Sequence, residues 1–121
     1  MADLLVDTDV FADHLRGSRE LRAGDDSIAY SVITRAELFA GRAEREDEVD
    51  RLLAPFREFE VERGIAERAG QLHRENGVQI RDALIAATAM RYRRTLVTGN
   101  REAFALVPDL QVREPADAPS A

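Results

Sequence analysis

"LLVDTDVF", residues 4–11, decides the fold. The apolar run Leu4, Leu5 and Val6 reads as a short buried strand. It stops at Asp7, and a second acid follows at Asp9. Thr8 or Asp9 can cap a helix that runs to about Leu15 and ends at Gly17. Strand and helix are thus separated by a single turn, with carboxylates in it.

The same alternation continues along the chain. Ser27 to Tyr30 is a second strand, and Ser31 or Thr34 opens a helix through about Gly41. A polar helix from Glu44 to Leu53 is closed by Pro55. Phe59 to Val61 is a short strand. Ile65, Ala69 and Leu72 share one face of a helix from Ile65 to Glu75, which Asn76-Gly77 stops. Arg81 to Arg93 is the next helix, and Thr95 to Thr98 the next strand. Gly99-Asn100 turns into a short helix near Phe104, and Leu110 to Val112 is the last strand. Strands that alternate with helices predict an α/β fold, with a central, mostly parallel sheet and helices on both faces. Residues 1–113 form one domain in this reading, and residues 114–121, with Pro115 and Pro119, a frayed tail.

Composition narrows the chemistry. The 121 residues contain no cysteine, which removes disulfides, thiol catalysis and thiolate-bound zinc. All 17 basic residues are arginine, so every site that requires a lysine is excluded. The acidic start Met1-Ala2-Asp3 is not a secretory signal. The longest nearly apolar stretch, Ala83 to Met90, is too short for a membrane span. A soluble, cytoplasmic protein is expected. With a net charge of −6, any contact with nucleic acid must be focused on a local positive patch.

Two helices carry an acid on an apolar face. In "SVITRAELFAG", residues 31–41, Glu37 shares a face with Ile33, Ala36 and Ala40. In "IRDALIAATAM", residues 80–90, Asp82 heads the stripe of Ile85, Ala86 and Ala89. Each acid has a plain alternative. Asp7, Asp9 or Asp82 can cap a helix, and Glu37 can lie at the edge of its face and reach water. Together, three acids on three elements point to one edge of the sheet, where α/β folds bind ligands. Two carboxylates ~4 Å apart repel by about 4 kcal/mol at an effective dielectric of roughly 20. Protons or a metal must offset that. An oxygen-only donor set favours a hard cation, Mg²⁺ or Mn²⁺, which acidifies bound water and stabilises charge on a phosphate.

"LLVDTDVF", "SVITRAELFAG", "IRDALIAATAM" and "TLVTGNREAF" resemble, in order and spacing, the successive motifs of PIN-domain ribonucleases, and among them the VapC toxins of bacterial toxin–antitoxin pairs. The resemblance runs from Leu4 to about Val112. It implies a three-layer α/β/α PIN-like domain, Mg²⁺- or Mn²⁺-dependent RNA cleavage, a homodimer and a VapB-type antitoxin partner. By position, Asp7, Glu37 and Asp82 match the family's metal-binding acids, and Thr98 and Asn100 its last turn. Asp9 falls where the family often has Asn or Ser; it is a helix-start acid favoured by the dipole or an outer-shell ligand. The family often carries a further acid at the last motif. Asn100 and Ala103 stand there instead, which leaves one acid fewer for a second metal; Asp9 or Glu102 is the candidate to take the missing carboxylate's part. An antitoxin arginine entering the carboxylate cluster is the expected inhibitory contact.

Arg81 and Arg101 neighbour these residues near helix amino termini, where the dipole disfavours cations. They either grip an RNA phosphate or point away as surface arginines. Arg91, Arg93 and Arg94 complement a helix carboxyl end without any RNA. A strand followed by "DTD" also suits an aspartyl-phosphate phosphatase or a receiver domain, but both normally use a lysine. A catalytically weakened PIN-like module that binds RNA or a partner is the non-enzyme alternative.

Overall fold

A computed structural model describes residues 1–115. Five strands form one sheet in the order β3-β2-β1-β4-β5, every neighbouring pair parallel. They are β1 (Asp3–Val6), β2 (Ser27–Ser31), β3 (Arg57–Phe59), β4 (Thr95–Val97) and β5 (Val112–Arg113). The helices are α1 (Thr8–Arg16), α2 (Val32–Phe39), α3 (Glu46–Leu53), α4 (Arg63–Asn76), α5 (Ile80–Arg91) and α6 (Arg101–Phe104).

Alternation along the strands makes the three layers. Leu5, Ala29 and Leu96 face one way and pack with Ile65, Ala69 and Leu72 of α4, Ala83 and Ala86 of α5, and Phe104. Leu4, Val6, Ile28, Tyr30 and Val97 face the other way and pack with Val10 and Phe11 of α1, Leu38 of α2, and Val49 and Leu53 of α3. The sheet is all parallel rather than mostly parallel, which explains why its central strands are apolar on both faces.

Several boundaries differ from expectation. Of the three candidate caps of α1, Asp7 takes the role rather than Thr8 or Asp9: its backbone is extended and its Oδ1 accepts from Thr8 N at 2.8 Å. Ser31 caps α2, which stops at Phe39 rather than Gly41. The polar helix begins as a 3₁₀ turn, Ala43–Arg45, before α3 proper. β3 lies two residues earlier than the Phe59 to Val61 segment, because pairing with β2 sets Ser31 opposite Phe59 and ends the ladder there. β5 begins at Val112, not Leu110, since the preceding turn holds Asp109 at a φ of 64°. Gly77 ends α4 in the left-handed region, φ 74°, where glycine has no Cβ penalty. Glu114 and Pro115 carry no regular structure, and the rest of the expected tail lies outside the described residues.

The strand order places β2 and β3 on one side of β1, and β4 and β5 on the other. The chain therefore reverses direction across the sheet between β1 and β4. The crevice beyond the carboxyl ends of strands at such a switch point is where open α/β sheets bind ligands. Asp7 follows β1 and Thr98 follows β4, so both stand at that crevice.

Candidate active site

Asp7 is buried and held from three sides. Its Oδ2 accepts from Thr98 Oγ1 at 2.9 Å. Its Oδ1 accepts from Thr8 N at 2.8 Å and from Arg81 Nη2 at 2.8 Å. Thr98 is itself fully buried, and its hydroxyl oxygen accepts from Asn100 N at 3.1 Å. The β4–α6 turn thus fixes the carboxylate at the tip of β1. Asn100 contributes through its backbone; the residue is exposed at the rim.

Glu37 arrives from α2. Arg81 grips it as a fork, with Nε 3.0 Å from Oε2 and Nη2 2.7 Å from Oε1. Thr8 Oγ1 lies 2.6 Å from Glu37 Oε1 and 2.9 Å from Thr34 Oγ1. Burial pushes the Glu37 carboxyl up, but hydrogen bonds from Arg81 and Thr8 outweigh it and hold the pKa below the usual glutamate value. Asp82, in the first turn of α5, meets Arg81 Nη1 at 3.1 Å. Three acids from three elements therefore converge on one guanidinium.

Arg81 turns inward, so the surface arginine pointing away is not what its side chain does. Burial disfavours its charge, and Glu37 and Asp7 more than compensate, raising its pKa above the ordinary arginine value. Arg101 is exposed and lies on the short helix α6. Glu102 is also exposed on that helix.

Asp9 crosses to the same turn as Thr98. Its Oδ2 accepts from Gly99 N at 2.9 Å, while its Oδ1 is buried without a hydrogen-bond partner. Burial, then the charge of Asp7, raises its pKa, against hydrogen bonds from Gly99 and Val10. A Cβ at position 99 would stand 2.7 Å from Asp9 Oδ2, so any other residue there would push that carboxylate aside. From the sequence Thr8, Thr34 and Gly99 are expected only as helix-start and turn residues, not as parts of the site. Threonines beside a helix start look like ordinary caps, and only the meeting of α1 with α2 gives these hydroxyls a common carboxylate.

The donor set, carboxylate and hydroxyl oxygens, fits a hard divalent cation. As arranged, no three Asp, Glu or His side chains among the described residues stand together at a metal-holding spacing. Arg81 engages both oxygens of Glu37 and one each of Asp7 and Asp82.

Fold and site together define an α/β domain with an acidic centre at the carboxyl edge of a parallel sheet. The chain belongs to the PIN-domain family, which matches over residues 4–110. It is similar to Ribonuclease VapC10 of Mycobacterium tuberculosis, at 42% identity over 98 residues, covering 71% of this chain and 74% of that protein. It is also similar to Ribonuclease VapC19 of the same organism, at 38% identity over 122 residues, covering 88% and 96%. Among solved structures it resembles a chain of a toxin–antitoxin complex from Klebsiella pneumoniae, with a TM-score of 0.80 and 31% identity over 95% of this chain and 99% of that one.

Proposed function

We propose that this protein is the toxin of a type II toxin–antitoxin pair and acts as a metal-dependent endoribonuclease that hydrolyses RNA phosphodiester bonds. The observation that carries the reading is the convergence of Asp7, Glu37 and Asp82 at the switch point of the sheet. Its relatives named as ribonucleases, and the toxin–antitoxin complex among its structural neighbours, support it.

In this reading Asp7, Glu37 and Asp82 hold Mg²⁺ or Mn²⁺. When bound, the cation supplies an acidic water and charge stabilisation at the phosphate. The protein's own groups do the positioning. Thr98 fixes Asp7, and Thr8 orients Glu37. Asn100 supports Thr98 through its backbone and stands where it can touch substrate. Arg101, exposed on α6, would contact an RNA phosphate, and Arg81 would do so once its guanidinium leaves the three acids. Asp9, whose buried Oδ1 has no partner, is the outer-shell candidate in place of the missing fourth acid. The partner is a VapB-type antitoxin whose basic groups complement a chain of net charge −6.

Expression in a host lacking the partner should arrest growth and cut RNA, and Asp7→Asn should do neither. Co-expression of a short partner gene adjoining this one should restore growth. A harmless wild-type chain would contradict the toxin role while leaving the nuclease to be judged on purified protein.

A further inference from the structure

We propose that Arg81 is an internal counter-cation that competes with the divalent metal: it holds Asp7, Glu37 and Asp82 in the metal-free protein and must release them before a metal can bind. The proposal rests on the metal-dependent reading above and adds a control built into the same chain.

Four observations carry it. Every nitrogen of the guanidinium is committed to the acids: Nε to Glu37, Nη1 to Asp82, and Nη2 to Asp7 and Glu37. Both oxygens of Glu37 and one each of Asp7 and Asp82, oxygens with the right chemistry for a hard cation, are thus engaged by the guanidinium. Second, Arg81 does not finish the neutralisation. Three carboxylates face one guanidinium, leaving two formal negative charges unbalanced, so a doubly charged ion is the better match. Third, Nη2 is overcommitted. It has two hydrogens for three acceptors, Asp7 Oδ1, Glu37 Oε1 and Thr8 Oγ1. Fourth, beyond the acids the side chain bonds only Thr8 Oγ1, at 3.1 Å, among the described residues. Arg81 sits in the first turn of α5, where the helix dipole opposes a cation, and a third of its side chain is exposed. It can swing to solvent without crossing the core. Asp7, by contrast, keeps Thr98 and Thr8 N as partners when Arg81 leaves, so the acid does not move with it.

The test compares the full-length, metal-stripped wild type with Arg81→Gln by titration calorimetry against Mn²⁺ alone. The variant should bind Mn²⁺ about tenfold more tightly or better, and its metal-free thermal midpoint should fall below that of the wild type. Equal or weaker Mn²⁺ binding by the variant, with clear binding by the wild type, would overturn the competition and leave the metal reading intact. Binding to neither protein would overturn both. Should the variant not fold, the wild type gives its own answer by NMR. The Arg81 Nε–H, bonded to Glu37, should exchange with water faster once Mg²⁺ is added, and unchanged protection would contradict the proposal.

Discussion

Thr98 shows what a single residue does here. Its buried hydroxyl donates to Asp7, so removing it leaves a buried carboxylate oxygen short of a partner. Thr98→Val should destabilise the protein by about 1–3 kcal/mol, read as a lower denaturant midpoint, and Thr98→Ser should recover most of that. Asp9 behaves in the opposite sense. Its pKa is raised above 3.8, so the folded state holds the proton more tightly than the unfolded chain. Stability from this group is fully present below 3.8 and lost as pH rises through the raised value. At neutral pH the penalty is complete. Asp9→Asn removes the charge and keeps an acceptor for Gly99 N, so its thermal midpoint at pH 7 should exceed the wild type's. The gain should shrink in acid; a gain independent of pH would contradict the assignment. Glu37 and Asp82 were legible in the sequence because a carboxylate on an apolar helical stripe is out of pattern, and Asp7 because it ends an apolar strand. Arg81 was ambiguous, because an arginine at a helix start carries no sign of whether it folds inward or points away.

At the scale of elements, one polar network ties the far strands to their helices. Arg35 of α2 donates to Glu58 of β3 at 2.5 Å, to Asp50 of α3 at 3.0 Å and to the Tyr30 hydroxyl of β2 at 3.0 Å. Tyr30 in turn donates to Glu58 at 3.1 Å. The ring of Tyr30 is buried against Phe11, edge to face. Burial raises the Tyr30 pKa above 10.0, with Arg35 opposing and Glu58 reinforcing. Its contribution to stability is therefore present below about pH 10 and lost as pH rises through the higher folded value. In an alkaline absorbance titration, Tyr30 should ionise above the ordinary tyrosine value of 10.0, or only with unfolding; Arg35→Ala should destabilise the fold by about 1–2 kcal/mol. Helix starts and stops were readable here, through Ser31, Gly17 and Gly77. Strand registers were not, because β3 and β5 end where partner strands end, a fact held by the sheet and not by the segment.

For the whole molecule, the order of elements was visible in the sequence as alternating apolar runs and helical stripes. The all-parallel pairing and the switch between β1 and β4 come only from assembly, and that switch is what brings Asp7 and Thr98 together. Among the described residues no helix is long and apolar enough to cross a membrane. The expected homodimer should elute with twice the 13.5 kDa chain mass under light scattering; a monomer at all concentrations would contradict it. An inhibitory arginine from a partner would meet a site already filled by Arg81, so it must displace the same side chain that a metal does.

Cleavage of single-stranded RNA by the purified chain tests the account most directly, with Mg²⁺ or Mn²⁺ present, with EDTA, and with Glu37→Gln. The account predicts cleavage that EDTA abolishes. It also predicts a loss of at least about a hundredfold in Glu37→Gln, since even outer-shell partners of a metal cost about ten- to a hundredfold. Cleavage that survives both EDTA and the substitution would contradict it, as would a folded wild type that cuts no RNA with either metal.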